Sequence, residues 1–149
     1  MTNFIYILGP AGSGKSTLAA ALSDIIKANG LSVALLNLDP GAEWLPYSPD
    51  IDVRDHITLS EVMEEYKLGP NGGLIVAVDL TINYLESFKD EIDYIGPDYV
   101  IVDTPGQMEL FAFREIGAAI VRGLSTGPSA VLFLIDSFFA SRASTLASA

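Results

Sequence analysis

Residues 9–16 of the chain read GPAGSGKS, and they follow an apolar, β-rich segment, NFIYIL, at residues 3–8. The octapeptide fits the pattern G-x-x-x-x-G-K-[ST], whose glycines let the backbone curl until successive N–H groups point at phosphate oxygens. Apolar residues then recur at helical spacing from Leu18 to Ile26, so a helix would add its positive N-terminal end. A strand, a glycine-rich turn and a helix in this order predict a phosphate-binding loop.

The side chains of this loop have distinct expected roles. Lys15 would reach the β- and γ-phosphates of a nucleoside triphosphate, and the Ser16 hydroxyl would ligate Mg²⁺. Thr17 would lie beside the phosphates. The nucleotide-binding residues predicted from this loop are Gly12, Ser13, Gly14, Lys15, Ser16 and Thr17.

A second candidate motif, DTPGQ, occupies residues 103–107 and follows an apolar segment at residues 99–102. An acidic residue at the carboxyl end of a buried parallel strand lies at the edge where ligands bind. Asp103 is therefore expected to hold Mg²⁺ directly or through a water. The amide of Gly106 can face the γ-phosphate, because glycine lets the backbone come close. The structural alternative is a strand-end turn with a capping aspartate.

Three further residues are candidates for arranging the attacking water. Asp39 ends the second apolar segment and could ligate the metal or accept a proton from water; alternatively it is a turn residue before Pro40. Gln107 could orient the water and Glu109 could polarise it. For these two, spacing alone favours the solvated first turn of a helix, where glutamate suits the helix dipole.

The order of apolar segments predicts the fold class. Strands are predicted at residues 3–8, 32–38, 97–102 and 130–135. A first helix is predicted directly after the glycine-rich loop, and a second runs from the capping box at residues 58–61 to Gly69-Pro70. Two further helices are predicted at residues 74–88 and 108–124. Strands that alternate with helices imply a mostly parallel sheet covered on both faces, which is a three-layer α/β fold. The chain length fits one domain, residues 1–149.

Two segments leave alternatives open. The helix predicted at residues 74–88 is apolar around most of its circumference, so it is either internal or partly covered by a partner subunit. Residues 40–57 form a long irregular stretch, which in a compact domain is usually functional or disordered. Trp44 in that stretch is either a packing anchor or a nucleotide-sensitive contact.

Composition excludes several classes of function. The net charge is −11, from 19 acidic and 8 basic residues, so binding of nucleic acid through phosphate neutralisation is not expected. No segment is apolar enough to predict a membrane span. The chain has no cysteine, so disulfides and thiolate metal sites are not available. A cytoplasmic protein is therefore expected.

Three motifs beyond the glycine-rich loop resemble those of one family. They are GPN at residues 69–71, NLDP at residues 37–40 and DTPGQME at residues 103–109. In this order they resemble the GPN-loop GTPases, which are similar to the signal-recognition and partition-ATPase class. The resemblance implies Mg²⁺-dependent hydrolysis of GTP to GDP and phosphate, with Asp39, Gln107 and Glu109 arranging the water and the metal.

The resemblance also implies an assembly. Members of the family form homodimers or related heterodimers, in which the loop Gly69, Pro70 and Asn71 reaches the partner's phosphate site. Asn71 would then act in trans, where other GTPases use an arginine finger. Eukaryotic relatives assist the assembly of RNA polymerase, so a protein client is an expectation by analogy.

The base-recognition motif of guanine-specific GTPases, Asn/Thr-Lys-x-Asp, does not occur in the sequence. In the family it lies on a later strand, and we expect the protein to continue beyond Ala149. Two other functions share the glycine-rich loop: a small-molecule or nucleoside kinase, and a nucleotide-gated interaction module with negligible turnover. A kinase would need a lid with several arginines, which no stretch of this sequence resembles.

Overall fold

A parallel five-stranded sheet organises residues 1–135, the part of the chain that the structure, a computed structural model, describes. Its strands are β1 (Asn3–Leu8), β2 (Val33–Asn37), β3 (Ile51–Asp52), β4 (Tyr99–Asp103) and β5 (Ser129–Phe133). Their spatial order is β3-β2-β4-β1-β5, and every neighbouring pair is parallel. The predicted α/β class is confirmed.

Helices cover both faces of this sheet. They are α1 (Lys15–Ala28), α2 (Leu59–Tyr66), α3 (Pro70–Leu80), α4 (Leu85–Ile95), α5 (Glu109–Ala112) and α6 (Glu115–Leu124). Because successive strand side chains point to opposite faces, Phe4 and Tyr6 pack with α4, α5 and α6, whereas Ile5 and Ile7 pack with α1. Burial on both faces explains why β1, β2 and β4 are almost continuously apolar. The edge strand β5 is exposed along its length among the described residues.

One strand was missing from the prediction. β3 has only two residues, and it lies within the stretch 40–57 that was expected to be irregular. Its pairing with β2 places Ile51 beside Leu36 and Asp52 beside Asn37. A two-residue strand is too short to produce a periodic pattern, so the sequence carried no signal for it.

Residues 74–88 are helical, as predicted, but they do not form a single helix. The helical region begins earlier, at Pro70, and a 3₁₀ turn, Thr81–Tyr84, separates α3 from α4. The buried Thr81 hydroxyl donates to the carbonyl of Ala77 at 3.0 Å; such a bond competes with the backbone ladder and bends helices. α3 buries Leu74, Ala77 and Val78, while Ile75 is 36% exposed. One side of α3 is therefore internal and the other is open in this chain.

The single helix predicted at residues 108–124 is also interrupted. α5 ends at Ala112, and the extended backbone of Arg114 precedes α6. A Cβ on Gly117 would lie 1.9 Å from the carbonyl oxygen of Phe111, so this close contact between the two helices requires glycine. Periodicity could not reveal the break, because both helices present apolar residues to the same core.

The GPN segment, expected to be a loop, begins a helix. α2 has the predicted cap, in which the Glu61 amide donates to the Thr58 hydroxyl at 3.2 Å. It ends earlier than expected, at Tyr66, with Lys67 in the left-handed conformation (φ 54°). Gly69 is extended, and Pro70 and Asn71 form the first turn of α3. Proline suits that position because its missing N–H would have no helical partner there.

Candidate phosphate-binding site

The glycine-rich loop has the backbone shape that its sequence predicts. It joins β1 to α1, and Gly12 and Gly14 have φ angles of 77° and 92°, which other residues rarely adopt. No side chain caps the start of α1, and its first three residues, Lys15, Ser16 and Thr17, line the cavity at the loop. A helix N-terminus with free amides is suited to an anion.

A cavity of about 240 Å³ lies over this loop. Its walls are Ala11, Gly12, Gly14, Lys15, Ser16, Thr17, Asp39, Thr104 and Gly106. The fold therefore brings residues near positions 11–17, 39 and 104–106 to one place, as expected for the carboxyl ends of neighbouring parallel strands. Ser13 does not line the cavity, and its N–H donates to the carbonyl of Pro10 at 3.1 Å.

Lys15 is the positive charge at this cavity. Its side chain is buried, and its Nζ lies 3.5 Å from the carbonyl oxygen of Pro10, a weak contact. Burial lowers the pKa of the Lys15 amine, while the charges of Asp103 and Asp39 act to raise it. A buried ammonium group with one long hydrogen bond has donors free for phosphate oxygens.

Asp103 ends β4 and carries a buried, hydrogen-bonded carboxylate next to Ser16; it is not itself one of the residues that line the cavity. Its Oδ2 accepts from the Ser16 hydroxyl at 2.7 Å and from the Tyr47 hydroxyl at 2.8 Å. Its Oδ1 is buried and has no hydrogen-bond partner among residues 1–135. Burial raises the pKa of Asp103, although the two hydrogen bonds and the charge of Lys15 act in the opposite direction.

These oxygen atoms fit a magnesium ion that also binds a nucleotide. Mg²⁺ takes hard oxygen ligands, usually one or two carboxylates together with phosphate oxygens and water. The unpartnered Oδ1 of Asp103 and the neighbouring Ser16 hydroxyl supply such ligands. Within the described residues no group of three or more acidic or histidine side chains could hold a metal by itself, so phosphate oxygens and water would complete the coordination.

Asp39 connects the two turns at the opposite side of the cavity. Its Oδ1 accepts from the Gly41 amide at 2.9 Å, and its Oδ2 accepts from the Gly106 amide at 3.0 Å. The Gly106 amide, which was expected to face a γ-phosphate, donates to this carboxylate. Asp39 lies in the wall of the cavity, in contact with the turn that follows β4.

Other predicted residues do not line the cavity. Gln107 is half-buried and Glu109 is exposed at the start of α5, just beyond the turn that contains Gly106. Gly69, Pro70 and Asn71 lie at the start of α3, outside the residues that form the cavity walls. One copy of the chain thus assembles the phosphate site without Asn71.

Two residues at the site were missed by the sequence analysis. The buried Thr104 hydroxyl donates to the carbonyl of Ile7 at 2.7 Å and joins the turn after β4 to β1. Tyr47 reaches Asp103 from the stretch expected to be irregular, which has no periodicity that could have identified it. Trp44 in the same stretch is 78% exposed, so it is not a packing anchor within the described residues.

The loop between β1 and α1, with a buried aspartate at the end of β4 beside it, defines the class of P-loop nucleotide-binding proteins. A family model described as a conserved hypothetical ATP binding protein matches residues 7–149. Proteins named GPN-loop GTPase 3 are 44% identical over 122 residues in Mycosarcoma maydis and 40% identical over 141 residues in Schizosaccharomyces pombe. The chain belongs to the GPN-loop GTPase family.

A solved structure agrees with this assignment. A GTPase from Pyrococcus abyssi, crystallised in its apo form, superimposes with a TM-score of 0.75 at 38% sequence identity, over 87% of this chain and 52% of that one. The two fungal alignments cover 82% and 92% of this chain but 43% and 51% of the relatives. The chain thus spans about half the length of the relatives it matches.

Proposed function

We propose that the protein binds Mg²⁺–GTP and hydrolyses it to GDP and phosphate as a dimeric nucleotide switch. The observation that carries the proposal is the cavity in which the P-loop, Lys15, Asp39 and the Gly106 amide converge. Guanine as the base rests on the names of the relatives, which are GTPases, although the matching family model is described as ATP binding.

The chain's own residues would position the triphosphate. Amides of the P-loop and the N-terminus of α1 would hold the phosphates, and Lys15 would counter charge that develops on them. Ser16 and Asp103 would hold Mg²⁺, which supplies charge neutralisation at the phosphates.

Asp39 would change partner when a triphosphate enters. If the γ-phosphate takes the Gly106 amide, the Oδ2 of Asp39 loses the hydrogen bond that it has now at 3.0 Å. The released carboxylate could then hold the attacking water and accept its proton. Gln107 and Glu109 follow the same turn, and in this proposal they complete the placement of that water.

Asn71 would complete the site from a second copy. Its position at the start of α3, away from the cavity walls of its own chain, is compatible with a role in trans. A neutral amide donor directed at the transferred phosphoryl group would stabilise charge there, as an arginine finger does elsewhere. The proposal therefore requires a homodimer. A protein client could bind one nucleotide state of this dimer in preference to the other.

We also propose a cytoplasmic location. The 149 residues contain no cysteine, so this part of the protein forms no disulfide that would need an oxidising compartment. Among the helices that the structure describes, none has the length and apolar character to cross a membrane.

A turnover assay on the full-length protein tests the proposal. Phosphate release is measured with GTP and with ATP, each in excess Mg²⁺ and in excess EDTA. We expect release from GTP that requires Mg²⁺. Failure of a folded sample to bind either triphosphate by calorimetry would refute the proposal, and transfer of phosphate to an added acceptor would favour a kinase. Tight binding without release would favour an interaction module.

A further inference from the structure

Tyr47 lies in the segment between β2 and β3, far in sequence from the P-loop and from β4. Its ring packs against the apolar cluster between the sheet and α1, which includes Ala19, Leu35 and Ile101. The ring also forms one wall of a second cavity of about 250 Å³ beside α1. Packing of the ring on this surface fixes the direction of the hydroxyl group.

The hydroxyl of Tyr47 donates to the Asp103 carboxylate across 56 positions of sequence, at 2.8 Å. Between a phenol and a carboxylate oxygen, the phenol O–H is the donor. Ser16 donates to the same oxygen at 2.7 Å. Both donors are on Oδ2, and Oδ1 has no partner in the part of the chain that the structure describes.

This arrangement has a consequence for a bound metal. A P-loop serine gives a lone pair of its hydroxyl oxygen to Mg²⁺ when the nucleotide is bound, and its O–H can still donate to Asp103 Oδ2. Tyr47 donates to the same oxygen from a different segment of the chain, so the carboxylate is held from two sides of the sequence. The carboxylate then keeps its orientation, with Oδ1 available to the metal or to a metal-bound water.

We propose that Tyr47 is a positioning residue for Mg²⁺: its hydroxyl orients the Asp103 carboxylate and joins the segment between β2 and β3 to the metal site. The inference rests on the proposed function, because it assumes that the metal enters with the nucleotide. Tyr47 lies outside the P-loop, the DTPGQ turn and the GPN segment, so the inference adds a residue to the metal site that none of these motifs contains.

The test uses Tyr47→Phe in the full-length protein, because the phenyl ring keeps the packing and the cavity wall. Tyr99→Phe is the matched control: the Tyr99 ring packs against the same apolar cluster, and its hydroxyl forms no hydrogen bond with another described side chain. The probe is a fluorescent GDP analogue, and the readouts are its affinity in EDTA and the Mg²⁺ concentration that slows its release.

For Tyr47→Phe we expect the Kd of Mg²⁺ to rise about tenfold, the effect of losing one hydrogen bond to a charged group. Affinity for the probe in EDTA should be unchanged, and Tyr99→Phe should match the wild type in both readouts. A variant with wild-type Mg²⁺ affinity, or with an equal loss in EDTA, would overturn the inference while the proposed function stands. A folded wild type that does not bind the probe at all would overturn both.

Discussion

The Oδ2 atom of Asp39 accepts a hydrogen bond from the backbone N–H of Gly106 at 3.0 Å, across 67 positions of sequence. A side-chain carboxylate thereby takes the place that we assign to an oxygen of the γ-phosphate. In the proposed function a triphosphate must displace this bond, whereas a diphosphate can leave it intact. The contact between Asp39 and Gly106 would then distinguish GTP from GDP.

Gly106→Ala tests this distinction. A Cβ at position 106 would lie 3.3 Å from Asp39 Oδ2, at the side where the γ-phosphate would approach. We expect affinity for a non-hydrolysable GTP analogue to fall about tenfold, by the loss of one charge-assisted hydrogen bond. Affinity for GDP should stay close to that of the wild type. Calorimetry with both nucleotides gives the comparison, and equal losses would contradict the assignment.

Lys15→Ala should remove most nucleotide affinity. Lys15 supplies the buried positive charge at the cavity, and loss of a buried charge-assisted contact costs about 2–5 kcal/mol, or roughly 30-fold or more in Kd. Lys27→Ala is the matched control, because Lys27 lies in the last turn of the same helix. Titration with a fluorescent nucleotide measures both, and a Lys15→Ala Kd within about threefold of the wild type would argue against a phosphate contact.

Asn71→Ala should slow hydrolysis with little change in nucleotide affinity. Loss of one donor to the transition state typically lowers kcat by about 10²–10³. Asn83→Ala is the control, since Asn83 is an exposed asparagine in the 3₁₀ turn after α3. Single-turnover phosphate release at saturating protein is the measurement, and unchanged rates would count against any catalytic role for Asn71.

A mixing experiment separates action in trans from action within one chain. In the proposal, the Lys15→Ala protein has little turnover because it binds nucleotide weakly. The Asn71→Ala protein has little turnover because its sites lack the donor from the partner. A mixed dimer contains one site with an intact Lys15 that faces an intact Asn71 from its partner. Mixing the two variants should therefore restore turnover. No gain on mixing, with mixed dimers demonstrated by a tag on one variant, would indicate that Asn71 acts in its own chain or not at all.

The ion pair between Asp79 and Arg114 should stabilise the junction of α3 with the segment before α6. Arg114 Nη2 donates to Asp79 Oδ2 at 3.1 Å, and Nη1 lies 2.8 Å from Oδ1. Both side chains are partly exposed, so a double-mutant cycle of unfolding free energies should give a coupling of about 0.5–1 kcal/mol that decreases with added salt. Urea denaturation at low and high ionic strength measures it.

The pair between Glu86 and Lys89 provides the comparison for this cycle. Its atoms are 3.4 Å apart, and the Glu86 side chain is 84% exposed. Its coupling free energy should be close to zero at both ionic strengths. If the coupling free energy between Asp79 and Arg114 is no larger than that between Glu86 and Lys89, their contact does not stabilise the packing of α3.

The four longer strands and the P-loop were predictable because each depends on residues that are neighbours in the sequence. A strand buried on two faces is almost continuously apolar, as residues 3–8 are. The spacing of Gly9, Gly14, Lys15 and Ser16 is enough to identify the loop. The carboxyl-edge position of Asp103 followed from the parallel sheet. These features could be predicted without knowing which residues distant in sequence are in contact.

Tertiary contacts decided the rest. The interruptions at Thr81–Tyr84 and at Arg114, the two-residue strand β3, the bond from Asp39 to Gly106 and the bond from Tyr47 to Asp103 were outside the predictions. Helical periodicity continues across a break when both pieces face the same core. A hydrogen bond formed across 56 or 67 positions leaves no periodic trace, because only the packing of the fold brings its two partners to hydrogen-bonding distance.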